Sequence, residues 1–150
     1  MAQKFLNVRH DVQSGYPIIG KNSTQFSQVD PVVADSSGWL DIAGTTTKVL
    51  GFSTDDRTMA STNQTVAKIK PTYVPSQGVL AQITADQAVT QTDIGAYADT
   101  GTATTGAFVV NLVAGTSGQF HVLGAADPDS LTTDCVVEVA EPQSLGFTQD

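Results

Sequence analysis

Between Phe108 and Val139 three short runs alternate apolar with polar residues: Phe108, Val110 and Leu112; Phe120 and Val122; Cys135, Val137 and Val139. A period of two puts every second side chain on one face of an extended strand, and no helix satisfies it. The interleaved Asn111, Gln119, His121 and Glu138 predict a sheet that is buried on one face and wet on the other. Composition points the same way. The 150 residues include 31 Ser and Thr, and only 15% are charged. Abundant Thr and Val with sparse Lys and Glu favour pleated strands over helices. Hydrophobic residues reach 40%, which argues against disorder, and no apolar run approaches the roughly 20 residues of a membrane span.

Upstream, punctuation by turns is the stronger signal. Asp30 to Ala34, the turn Asp35-Ser36-Ser37-Gly38 and Trp39 to Ala43 read as a β-hairpin with Gly at the turn exit. Alternation sets Leu40 and Ile42 on one face and Trp39 and Asp41 on the other. After the Gly44-Thr45-Thr46-Thr47 turn, Leu50 and Phe52 are expected on a common side. From Thr65 to Lys70, Ala67 and Ile69 are expected inward, with Val66, Lys68 and Lys70 outward, until Pro71 interrupts pairing. Pro71 to Pro75 reads as a stiff connector, Gly78 to Thr84 as a strand, and Ala85 to Gly106 as a long loop with one helical turn near Gln87 to Gln91. The first 25 residues show no sustained period and read as an extended arm or, equally, as an edge strand of the same domain. The expectation is therefore an all-β chain, a small antiparallel β-barrel or sandwich: an N-terminal arm over 1–25, a first β lobe over 26–74 and a second over 75–150.

Charge divides the chain at the same place. Every Lys and Arg lies in the first seventy residues, so residues 1–70 sum to +1 and residues 71–150 to −9. An all-acidic half repels polyphosphate, which argues against nucleic acid as a partner. The basic arm residues Lys4, Arg9 and Lys21 are set to lie along an acidic neighbour. No apolar core of a signal peptide follows Met1-Ala2-Gln3-Lys4, and the expectation is assembly inside a cell.

Catalytic combinations are thin. The chain has two histidines, His10 in the arm and His121 in a strand, and lacks a nucleophile elbow. Cys135 is unpaired and reads as a small buried side chain. Asp127, Asp129 and Asp134 gather oxygen ligands that could hold Ca²⁺, but without the Gly and distal Glu of an EF-hand they read as an acidic turn. The glycines of 101–106 and 115–118 lack the Lys of a phosphate loop. No cofactor, metal site or enzymatic activity is expected. Trp39, beside a turn, is a candidate interface anchor or a core residue, and Lys68, Lys70 and His121 are further candidate interface residues.

The segment Pro31-Val32-Val33-Ala34-Asp35-Ser36-Ser37-Gly38-Trp39-Leu40, the Gly-Thr-Thr-Thr turn and Lys48-Val49-Leu50-Gly51-Phe52 resemble the opening of the β domain in head-decoration, or cement, proteins of tailed bacteriophages. Asp93-Ile94-Gly95-Ala96-Tyr97-Ala98-Asp99, Thr105 to Phe108, Phe120 to Gly124 with Asp127-Pro128-Asp129, and the strand Val136 to Val139 resemble a recurrent phage virion pattern. Together these stretches span about 120 residues, though each is a turn-and-strand pattern of low specificity. The resemblance implies a virion protein on the outer surface of an assembled capsid, usually a homotrimer, that clamps neighbouring major capsid protein subunits. It also implies an N-terminal segment that pairs with the shell, a role for which Lys4, Phe5, Arg9, Ile18, Ile19 and Lys21 are the candidates. Two rivals stand beside it: a tail, neck or baseplate component, and a receptor- or glycan-binding module stacking Trp39, Tyr73 or Tyr97 on a sugar.

Overall fold

A computed structural model describes residues 4–8, 16–44, 48–76, 79–102, 108–112, 118–127, 129 and 132–140. Thirteen strands are defined among them: β1 (Lys4–Val8), β2 (Tyr16–Pro17), β3 (Gln25–Phe26), β4 (Pro31–Ala34), β5 (Leu40–Ile42), β6 (Gly51–Ser53), β7 (Arg57–Thr58), β8 (Thr72–Pro75), β9 (Val79–Thr84), β10 (Tyr97–Thr102), β11 (Phe108–Asn111), β12 (Phe120–Ala125) and β13 (Asp134–Val139). One π turn, Asn63–Ala67, interrupts them. The strands form a six-stranded sheet in the order β1-β9-β13-β12-β10-β11, a five-stranded sheet in the order β2-β8-β6-β4-β5, and the small pair β3-β7. All named pairings are antiparallel. The all-β expectation holds.

The six-stranded sheet curls back on itself. Ala85, just past β9, makes a parallel bridge with Val110 of β11, and the Asp86 N–H donates to the Val110 carbonyl at 2.9 Å. Leu112 N–H in turn donates to Asp86 Oδ1 at 3.0 Å. β1 takes the remaining length of the same edge, with Lys4 opposite Gln82 and Val8 opposite Val79 across a bulge between Phe5 and Asn7. Both arrangements cover an edge that would otherwise offer unpaired backbone groups. Of the two readings of the N-terminal segment, extended arm and edge strand, Lys4–Val8 takes the second, as an edge strand of the sheet built from the other end of the chain.

The two sheets share one core. Val29, Ala43, Val49, Phe52 and Val74 from the first half pack with Val79, Ala81, Ile83, Val110, Phe120, Val122, Cys135 and Val137 from the second. Phe52 and Phe120 stack across the junction with ring centroids 6.4 Å apart. Burying each such ring contributes about 2–3 kcal/mol, so the halves stabilise one another. The expected two lobes, 26–74 and 75–150, are two layers of a single sandwich. Gln119 pins them further: its Nε2 donates to the Gly44 carbonyl at 2.6 Å, and its Oε1 accepts from Thr100 N–H at 3.0 Å. Gln119 is therefore buried, where alternation had placed it on the wet face; its amide is satisfied by these bonds.

The far side of the five-stranded sheet is also covered. Val32, Leu40 and Tyr73 turn away from the shared core and pack with Phe26 of β3 and Met59, against which Ile18, Ile42 and Leu50 lean. Leu50 and Phe52 consequently belong to different clusters, contrary to the expected common side, while Val49 joins Phe52. Pro71 to Pro75 is a correction of the same kind. The expected connector contains β8, flanked in its sheet by β2 and β6, because its two prolines fall at the ends and leave Tyr73 and Val74 free to pair with Ser53 and Phe52. Gly51 lies so close to β8 that a Cβ there would collide with the Val74 carbonyl oxygen. Within the expected long loop, β10 emerges from Tyr97 onward.

Candidate functional site

The hairpin that carries the clearest turn signal is held by one aspartate. Asp35 Oδ1 accepts the N–H groups of Ser37 at 2.8 Å and Trp39 at 3.0 Å, and the Asp35 carbonyl accepts from Gly38 at 2.9 Å. Gly38 sits at φ +84°, a backbone region that costs a side-chain-bearing residue dearly. Val32 pairs with Ile42 and Ala34 with Leu40, as the sequence pattern requires. Trp39 emerges half-buried at the end of this hairpin.

Of the expected docking-arm residues, Lys4 and Phe5 lie in β1, and Arg9 lies outside the described residues. Ile18 leans on the Phe26–Met59 cluster. The backbone of Ile19 accepts the Leu40 N–H at 2.9 Å. Lys21 Nζ donates to Asp41 Oδ2 at 2.7 Å, and this hydrogen bond, then the carboxylate's charge, raises the ammonium pKa. Ile18, Ile19 and Lys21 thus stitch the five-stranded sheet to the segment before it.

Thr65 to Lys70 is where the sequence expectation fails most. An alternating strand was expected; a π turn forms instead, and its residues other than Asn63 and Gln64 are exposed. Asn63 explains the geometry. It is fully buried, donates through Nδ2 to the Gly20 carbonyl at 2.7 Å and the Ile69 carbonyl at 3.0 Å, and accepts the Ile69 N–H at 3.0 Å. Asn22 and Gln64 clamp the same base reciprocally, each backbone N–H donating to the other's side-chain oxygen at 3.0 and 2.7 Å. Lys68, at φ 51°, closes the turn by donating its N–H to the Asn63 carbonyl at 2.8 Å. The result is a stiff knob. At its surface stand Val66, 74% exposed, Ile69, Lys68 and Lys70.

Lys68 and Lys70 form no ion pair among the described residues, unlike Lys21 with Asp41 and Arg57 with Asp55 at 3.3 Å. Sequence reasoning named both lysines but missed Asn63, Asn22 and Gln64. No periodic signal marks a side chain that bonds to backbone far away in sequence; Asn63 reaches a carbonyl 43 residues back.

On the opposite sheet, His121 lies on the outer face of β12. Its ring stacks on Tyr97 with centroids 5.2 Å apart, Nε2 lies 3.1 Å from the Gly95 carbonyl, and Nδ1 lies 3.6 Å from Glu138. Cys135 is buried, and burial pushes its thiol up to about 12, so thiolate chemistry is suppressed. Asp127 Oδ1 accepts the Asp129 N–H at 2.9 Å, an aspartate capping its own turn. No group of three or more His, Cys, Asp or Glu among the described residues is arranged to hold a metal ion. No helix among them is long and apolar enough to cross a membrane.

Scans against family models, curated proteins and solved structures return no significant match for this chain.

Proposed function

We propose that this chain is a virion structural protein that binds the outer surface of an assembled phage capsid and stabilises it, without catalysis. One observation carries the reading. The stretch that resembles the β domain of decoration proteins, Pro31 to Phe52, builds β4, β5 and the start of β6, three neighbouring strands that run from the middle to one edge of a sheet packed on both faces. A cement protein needs such a body. It must keep its shape without the shell and offer preformed surfaces, so that little ordering entropy is lost on docking.

Stabilisation then follows from mass action. Many copies that bind only the assembled shell lower the free energy of that state in proportion to their occupancy. The experiment mixes purified protein with shells that lack it and measures binding and the thermal transition of the shells. Bound protein with a raised transition is expected. Failure to bind, or binding with an unchanged transition, overturns the proposal. Because β1 is part of the six-stranded sheet, removing residues 1–20 would damage folding and docking together.

A further inference from the structure

The knob and the acidic half of this chain complement each other, yet they lie on different faces of one molecule. Val66 and Ile69 are exposed apolar side chains flanked by Lys68 and Lys70. On the outer side of the six-stranded sheet, Leu123 is 39% exposed at the bulge of β12. Glu138 lies opposite His121 toward one end of the β12-β13 ribbon, and the Asp127–Asp129 turn follows the other end. Exposed Ile94 belongs to the turn whose Gly95 N–H donates to the Val122 carbonyl at 2.8 Å, so it joins the same neighbourhood. The knob thus sets exposed apolar side chains beside basic groups, and the sheet face sets Leu123 and Ile94 near carboxylates, of which Glu138 lies 3.6 Å from the His121 ring.

We infer that the knob of one copy docks on the β12-β13 face of a second copy, giving a head-to-tail self-association. Two physical points support it. A β-branched apolar residue 74% exposed on a turn fixed by a buried asparagine is pre-ordered for contact, which lowers the entropic cost of docking. Two copies of net charge −8 repel in most orientations, and pairing the knob with the acidic face brings opposite charges together. The contact uses different patches on the two partners, so it is heterologous; it closes into a ring or continues as a filament according to the rotation it imposes. The inference does not rest on shell binding.

The test uses two variants of the full chain. One carries Lys68→Glu and Lys70→Glu, the other Asp129→Lys and Glu138→Lys. Light scattering should find the parent chain self-associated at about 0.1 mM, and each variant alone weakened by roughly tenfold or more in dissociation constant. Mixing the two variants should restore association, since each retains the surface the other lacks. A monomeric parent chain, an unaffected variant, or a mixture that stays dissociated would each overturn the inference. Lys68→Gly guards against misfolding: glycine suits the φ of 51°, so the knob is kept while one charge is lost, and weakened association with an undiminished melting temperature is expected. An unchanged association would count against the inference. Normal self-association by a chain that ignores shells overturns the capsid reading alone.

Discussion

The two sheets solve the same problem differently. The six-stranded sheet is buried on one face, and along β13 buried and half-buried residues alternate without a break. The five-stranded sheet is sandwiched between that sheet and the β3-β7 pair, and its strands show consecutive buried residues: Pro31 and Val32 in β4, all of β6, Tyr73 and Val74 in β8. A layer covered on both sides has no wet face to mark with polar residues. It must also satisfy its polar groups internally, which is why side-chain-to-backbone bonds from Asp55, Asn63 and Asp30 crowd around it. The middle layer therefore holds the molecule together, while the outer sheet has a face to spare.

The largest expected effect breaks the junction itself. Phe52→Ala removes a fully buried ring from the shared core, and about 3–5 kcal/mol of stability should be lost in denaturant unfolding. Because both layers meet there, probes of either half should report one coincident transition. Two separated transitions would restore the picture of independent lobes. Leu40→Ala, on the far face, should cost about 3 kcal/mol.

Next comes a charge enclosed at the edge of the middle layer. Asp30 is buried beside Val29, which holds φ 72°, a strained value for a β-branched residue. Burial pushes the Asp30 carboxyl up from 3.8 to about 6, against the opposing hydrogen bond from Ser27 N–H. The folded state therefore binds its proton more tightly than the unfolded chain. This contribution to stability is fully present below pH 3.8 and is lost as pH rises toward about 6. The loss corresponds to about 2–3 kcal/mol. Asp30→Asn should remove that part of the pH dependence and raise the neutral-pH stability by a similar amount, read from denaturant midpoints at a series of pH values.

Asn63→Ala should cost about 2 kcal/mol, since it leaves the Gly20 carbonyl and the Ile69 backbone without their partner. Faster hydrogen exchange confined to 60–70 would show that this one side chain keeps the knob rigid.

What could be read in advance follows the same division. The cores of β11, β12 and β13 were legible because a one-sided sheet writes its period into the chain, and the β4-β5 hairpin was legible because Asp35 and Gly38 are turn residues with a mechanism. β8 was not, since two-sided burial erases the period and its terminal prolines suggested a connector. The pairing of β1 with β9 joins residues some 75 positions apart, and no local pattern specifies that. Of the candidate surface, Lys68, Lys70 and His121 were visible as charged or ionisable residues. The knob was not, because Ala67 and Ile69 alternate with Lys68 and Lys70 as a strand would, and the bonds of Asn63 together with the Asn22–Gln64 clamp bend that stretch into a turn.

The smallest effect gives the sharpest test, because it compares neighbours. In β12, Val122 is fully buried and Leu123 faces water. Val122→Ala should cost about 2 kcal/mol, whereas Leu123→Ser, one residue on, should change stability by less than about 0.5 kcal/mol. In β8 the corresponding neighbours Tyr73 and Val74 are both buried, in different clusters, and substituting either by Ala should cost about 2 kcal/mol or more. A costly Leu123→Ser would mean that the outer face is covered in the folded monomer, and the contrast between a one-sided and a two-sided sheet would fail. If Leu123→Ser instead leaves the monomer's stability intact and weakens only its self-association, the spare face is free for a partner in the way the knob requires.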